Sequence, residues 1–346
     1  MHELKPYLQL NLSRVRDNAR RFSSAVENAF GKGRTRTFFA VKSLPEDKVL
    51  RVVAASGLGF EVMTASQAAQ ARASGQPWIV SGFHKPIELL QASSEAEYLV
   101  VEGPHELERL IGLDLPFKLL LRIKLDARRK IGFSLQDLQT NIQRLKGNEK
   151  LKVHGLHFHL GWNVKEKKLI HEAVEKMLDA YTLCTHMETK IEVLNLGGSF
   201  CEDRADSAQL ATRLNIYQQY LKALPVEFHF EPGRYIVGDA GTLFSEIVSI
   251  DETQNVIHLN TCAYGYKLNA ATPRGRFVGA DEGASQMWTV YGFWSAEGDV
   301  CELELKGIGK KGSIFALENM GAYVWDMAYQ FEPDQGVEMR FIEEQA

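Results

Sequence analysis

Phe228-His229-Phe230-Glu231-Pro232-Gly233-Arg234-Tyr235 runs an alternating apolar segment into a carboxylate, a Pro-Gly stop and an arginine. The pattern predicts a buried strand whose tip carries Glu231 and Arg234 side by side. Taken alone, a carboxylate and a guanidinium separated by a turn fit a surface ion pair as well as a site. Segments of the same form on the upstream side separate the two readings.

Upstream, strand-like runs are predicted at 37–41, 59–63, 78–81, 98–101, 118–123, 153–159 and 193–196, and with 226–230 they make eight. Between them apolar residues recur at helical spacing, for example Leu169, Val174, Met177, Leu178 and Tyr181. Eight strands alternating with helices predict parallel βα units closing into a (β/α)8 barrel, whose chemistry sits at the C-terminal strand ends. An open doubly wound sheet is the alternative, but no G-x-G-x-x-G follows the first strand. After Tyr235 the texture changes to short strands between Gly and Asp turns, which predicts a C-terminal all-β domain. A lone strand at 6–10 is expected to join it. The expected division is therefore 12–236 for the barrel and 1–11 plus 237–346 for the β domain.

With 346 residues, 45% hydrophobic and 24% charged, the chain can bury a full core. A net charge of -4 argues against a nucleic-acid or anionic-membrane partner and for a small-molecule one. The beginning Met1-His2-Glu3-Leu4-Lys5-Pro6 has no apolar leader and no run reaches membrane-spanning length, so a cytoplasmic location is expected. Cys184, Cys201, Cys262 and Cys301 are widely spaced and lack clustered histidines, so neither disulfides nor a metal site is expected.

The strand tips carry Lys42 after the first strand, Glu61 in the second, Arg122 in the fifth and His159 ending the sixth. Gly197-Gly198-Ser199 follows the seventh, and Glu231 with Arg234 the eighth. These are the parts of a pyridoxal phosphate site. A lysine amine takes the cofactor's aldehyde, a flat imidazole stacks on its ring, and glycine amides at a helix N-terminus hold its phosphate with an arginine. A carboxylate keeps the pyridine nitrogen protonated, and the protonated ring is the electron sink that a carbanion at Cα requires. Singly, each residue also has an ordinary reading: Lys42 as a solvated lysine, Gly197-Gly198 as a plain turn, His159 as a hydrogen-bonded core histidine. The conjunction and its order carry the assignment. Thr64 and Gln67 read as a helix cap without chemistry.

Five motifs, Phe39-Ala40-Val41-Lys42-Ser43, His157-Phe158-His159-Leu160-Gly161, Leu196-Gly197-Gly198-Ser199-Phe200, Glu231-Pro232-Gly233-Arg234-Tyr235 and Gly321-Ala322-Tyr323, span nearly the whole chain. They resemble, in order, the motifs of the fold-type III pyridoxal phosphate decarboxylases, the group of ornithine, arginine and diaminopimelate decarboxylases. The resemblance implies a barrel followed by a β domain, and a head-to-tail homodimer with its active sites at the interface. It implies Lys42 as the cofactor-bonded lysine, His159 as the ring-stacking residue and Glu231 as the partner of the pyridine nitrogen. Gly198, Arg234 and Tyr323 become phosphate contacts, and Gly197, Ser199, Gly233, Glu61 and Arg122 complete the expected cofactor-binding set. Lys130-Ile131-Gly132-Phe133 is similar to the family's K-F-G segment.

The departures bear on the substrate, which is expected to be a small amino acid or an amino-acid conjugate. At 292–299, where the family has G-P-x-C-[DE], Ser295 stands in place of the cysteine and Ala296 in place of the acid. Ser295 is thus expected in the catalytic set with Lys42, His159 and Glu231. Trp162 replaces the serine after H-x-G, Ser199 the third glycine of the phosphate loop, and Thr261 the acid that meets a distal amine. Free ornithine and lysine lose support, and Lys267, Arg274 and Arg276 in a nearby loop favour a neutral or anionic distal end, as in siderophore or other secondary-metabolite biosynthesis. Two alternatives remain. An amino-acid racemase on the same barrel typically faces the pyridine nitrogen with arginine, so Glu231 tells against it. A catalytically inactive regulatory relative is opposed by the joint presence of Lys42, His159, Glu231 and Arg234.

Overall fold

The computed structural model describes residues 4–126, 131–201, 207–262, 274–280, 283–293, 299–325 and 337–343. The chain divides into two compact units, one built on 19–200 and the segment ending at Gly233, the other on the residues before Ala19 and from Arg234 onward. The division falls inside the helix Leu12–Phe30. Its first turns go with the second unit because buried Asn18 donates there to Ile236 O (3.1 Å) and Asp239 Oδ1 (2.6 Å).

Strand β1 (Tyr7–Asn11) precedes that helix, and eight strands follow it: β2 (Thr35–Ala40), β3 (Gly59–Val62), β4 (Trp78–Val80), β5 (Tyr98–Val101), β6 (Phe117–Arg122), β7 (Leu151–His157), β8 (Val193–Asn195) and β9 (Glu227–Phe230). They pair in parallel in chain order, and β9 pairs back on β2 to close a barrel. Strands covered on both faces need continuous apolar sequence, and β3, β4, β5 and β8 are buried at every residue.

Aromatic contacts fix which side chains point inward. Tyr98 of β5 lies 5.7 Å from His229 of β9, ring to ring, although these strands are not neighbours, so the contact crosses the interior. Phe38 of β2 meets the same imidazole at 5.0 Å. Register then aligns Arg122, His157, Asn195 and His229 across β6 to β9, and directly paired residues share a face. A polar row therefore crosses the C-terminal half of the interior, and Glu231, two residues past His229, continues it toward the mouth.

In the second unit, β10 (Gly241–Asp251), β11 (Val256–Leu259), β12 (Arg274–Phe277), β13 (Ser285–Tyr291), β14 (Val300–Lys306) and β15 (Ile314–Glu318) run in the order β12-β15-β10-β11-β13-β14. β1 pairs antiparallel with β10 and parallel with β16 (Glu338–Ile342). Two strands escape the sequence reading. Arg274 and Arg276 were expected in a loop, yet they form the exposed face of β12, whose Gly275 backs onto the side chains of Leu303 and Phe315, which would have to shift to admit a Cβ. β16 alternates only weakly, with charges at Glu338 and Arg340.

Candidate active site

The C-terminal ends of the barrel strands bring the expected residues of the first unit together. Lys42 does not end β2 itself but sits in the single 3₁₀ turn Val41–Ser43 that follows it. Its Nζ reaches to 3.4 Å from Oε1 of Glu61, whose side chain is wholly buried on β3. Ser81, just past β4, donates its hydroxyl to the same oxygen, while Oε2 of Glu61 has no partner among the described residues.

Glu231 is 5% exposed and held on both oxygens. Asn195 Nδ2 donates to Oε1 at 2.8 Å, and His157 Nε2 lies 3.4 Å from Oε2. Burial pushes this carboxyl up, but His157, Lys42 and His159 together outweigh it and hold it down at about 2. An ionised carboxylate kept out of water is costly unless cationic or hydrogen-bonding partners face it. Its tip is fixed by ladder bonds on both sides, Glu231 N to Gly197 O (2.8 Å) and Ala40 N to Pro232 O (3.2 Å).

His159 lies two residues beyond the end of β7. Burial, then the charges of Lys42 and Arg122, press its pKa down to about 3, so the ring is neutral. The Gly198 N–H approaches its Nδ1 at 3.4 Å, which requires a lone pair there and agrees with the neutral form. The loop Gly197-Gly198-Ser199 is packed tightly: a Cβ on Gly197 would lie 2.2 Å from Phe158 O, and one on Gly198 2.6 Å from Glu231 O. The N–H groups of Ser199 and Phe200 donate to no protein acceptor among the described residues.

Arg122 is in the cluster, but its guanidinium is paired with buried Glu102, just past β5. Burial raises the Glu102 carboxyl, and Arg122 and His157 more than reverse this. In the other unit Arg234 is buried at the start of the short helix Arg234–Val237, and its guanidinium lies 5.1 Å over the Tyr323 ring. Glu231 and Arg234 are both buried, which removes the surface ion-pair reading that the motif taken alone allows. Ser295, Ala296, Lys130 and Lys267 lie outside the described residues. Thr261 is buried, and its Oγ1 has no partner among the described residues.

His157, Asn195, Ser81 and Glu102 were not singled out from the sequence. Each stands at or just past a barrel-strand tip, so the strand-end rule, applied to all eight, would have found them.

The residues present fit pyridoxal phosphate. There is an amine at Lys42, a carboxylate held ionised for a protonated ring nitrogen, a neutral flat imidazole, and a cradle with two unfilled N–H donors among the described residues and no room for a side chain at Gly197 or Gly198.

Comparison with known proteins agrees. Residues 12–238 match the model of the pyridoxal-dependent decarboxylase family, pyridoxal binding domain. A diaminopimelate decarboxylase of Zymomonas mobilis is 26% identical over 268 residues, which cover 70% of this chain and 63% of the relative. One from Deinococcus radiodurans is 26% identical over 334 residues, covering 86% and 80%. The chain thus spans under two thirds of the first of these relatives and four fifths of the second. Among solved structures, diaminopimelate decarboxylase from Helicobacter pylori complexed with L-lysine superposes with a TM-score of 0.83 at 17% identity, covering 100% of this chain and 93% of that one. On the family match and the barrel that it spans, the chain belongs to the pyridoxal-dependent decarboxylases.

Proposed function

We propose that this protein removes the α-carboxylate of an amino acid or amino-acid conjugate whose distal end carries no free ammonium group. The observation that carries the reading is Glu231, ionised and buried at the tip of β9 between Asn195 and His157. When bound, pyridoxal phosphate supplies an electron sink that drains the bond between Cα and its carboxylate so that CO2 departs. Glu231 would hold the proton on the cofactor's ring nitrogen and so keep that sink strong. Lys42, with Glu61 beside its amine, is the residue that would bind the cofactor's aldehyde carbon and move protons at Cα. His159, held neutral, is the flat side chain that would stack on the ring without competing for its charge. By the family resemblance Gly198, Ser199, Arg234 and Tyr323 would bind the phosphate, and Arg122 sets the charge of the mouth through Glu102. By the family resemblance the working form would be a homodimer in the cytoplasm, with Ser295 in the catalytic set.

The absence of an acid at Thr261 supports a substrate without a distal ammonium group, since a buried hydroxyl cannot neutralise one. The arginines once expected to read an anion give less support. Arg276 is engaged with Glu318 at 3.3 Å, which leaves a neutral end as the better reading.

The test is evolved CO2 from the reconstituted protein offered amino acids with neutral, acidic and amino-bearing side chains, with Lys42→Ala as control. CO2 from a substrate with a neutral or acidic end, lost in Lys42→Ala, is the expected result. Racemisation without CO2, or ornithine and lysine as the best substrates, would overturn the reading.

A further inference from the structure

Arg213 lies on the helix Ser207–Leu221 and is buried, yet its guanidinium is turned to the loop that follows β8. Nη1 donates to Gly198 O (3.3 Å) and Ser199 O (2.9 Å), Nη2 donates to Val164 O, and the group stacks 4.7 Å from the Phe200 ring centroid. In a trans peptide the carbonyl and the following N–H point in opposite directions. Turning the Gly198 and Ser199 carbonyls onto Arg213 therefore aims the N–H groups of Ser199 and Phe200 away from it. These are the two N–H groups left without a protein acceptor among the described residues.

The backbone has the shape this requires. Gly197 and Ser199 are both left-handed, with φ of 61° and 73°, flanking a residue that is not, and such alternation makes a concave run of N–H groups suited to an anion. Ser199 adopts this conformation despite its Cβ, and its Oγ accepts the Val164 N–H at 3.0 Å. Val164 is thus tied to Ser199 of the loop at its N–H and to Arg213 at its carbonyl, so one clip holds two loops of the barrel mouth. A helix that abuts a phosphate loop gives it a positive end, an effect that fades within the first turn. Here Arg213, inside the helix Ser207–Leu221, brings a full charge to the back of the loop.

We propose that Arg213 is the positioning residue of the phosphate cradle: it pins the Gly198 and Ser199 carbonyls so that the Ser199 and Phe200 N–H groups face a phosphate monoester. The inference rests on the pyridoxal phosphate reading of the site. Arg213 touches neither the reacting atoms nor the phosphate and acts through the two peptides.

The experiment compares dissociation constants of pyridoxal phosphate and of pyridoxal, which lacks the phosphate, for the full chain freed of cofactor. Wild type should prefer the phosphate ester strongly; equal affinities would overturn the cradle itself and with it the role of Arg213. In Arg213→Met the affinity for pyridoxal phosphate should fall about tenfold or more while that for pyridoxal holds, and Arg213→Lys, which keeps the charge but loses the fork, should recover part of it. Equal losses for both ligands would mean plain structural support, and an unchanged preference would free the cradle of Arg213; either result overturns the proposal. Should the variants not fold, amide hydrogen exchange in wild type decides. Ser199 and Phe200 should slow with pyridoxal phosphate or inorganic phosphate and not with pyridoxal, and unchanged exchange would overturn it.

Discussion

His157 and Glu231 face each other across β8, Nε2 to Oε2 at 3.4 Å, both buried, with Asn195 of the intervening strand on the carboxylate's other oxygen at 2.8 Å. The contact makes His157 the chief counterweight to the burial that would otherwise raise the Glu231 carboxyl. His157→Leu should therefore move that carboxyl up from about 2, and the acid limb of kcat/KM against pH should move up with it. An acid limb that stays in place would show that Lys42 and Asn195 suffice.

Glu231→Gln keeps the Asn195 contact and the shape of the tip but removes the charge. Cofactor retention should survive, because the phosphate is held elsewhere, while kcat falls by about 100-fold or more. Parallel measurement of bound pyridoxal phosphate and of CO2 release checks this. Turnover at the wild-type rate would dissociate the carboxylate from the chemistry.

The barrel was legible because its strands are short, largely buried and punctuated, and six of the eight are tipped by residues with distinct chemistry. Lys42, Glu61, His159 and Glu231 were found by that rule, and the structure gathers them at one end of the barrel. His157 and Asn195 were not, because the sixth and seventh strands were read to 159 and 196, one or two residues past their ends at His157 and Asn195. That shift placed both inside a strand and hid them as core. Arg213 gave no signal at all, since an arginine on an amphipathic helix reads as solvated until the fold turns it inward. β12 was missed because two charges in four residues outweigh one phenylalanine, and only the sheet partner β15 supplies the other face.

Acid should weaken the fold in two overlapping windows. His159 is pressed from its usual 6.5 to about 3, so between those values the unfolded chain binds a proton that the folded chain does not. Glu231, lowered from 4.5 to about 2, repeats this further down. Where the unfolded state holds more protons, stability rises with pH, so both groups take stability away as pH falls. The urea midpoint of wild type should drop between about pH 7 and about pH 5, and His159→Gln should flatten that slope. An equal slope in the variant would assign the acid sensitivity to other groups.

Lys85 is wholly buried, with Nζ on Gly82 O at 2.7 Å and on Glu106 Oε1 at 2.8 Å. Glu106 is in turn anchored by the Glu102 N–H at 2.8 Å, and Glu102 carries both the Gly82 N–H and Arg122. Burial already raises the Glu106 carboxyl against the pull of Lys85. Removing the ammonium leaves a buried carboxylate with one backbone donor, which costs far more than the pair contributes when intact. Lys85→Met should therefore lower stability by about 3–5 kcal/mol, whereas Arg276→Ala, which breaks the exposed contact with Glu318, should stay within about 0.5 kcal/mol. Because Glu102 also binds Arg122, the Lys85 change should reach the active-site mouth and raise KM as well as lower the unfolding midpoint. Adding Glu106→Gln should restore much of the stability by removing the stranded charge. If the double variant is no more stable than Lys85→Met, the loss comes from packing around the lysine stem and not from the carboxylate.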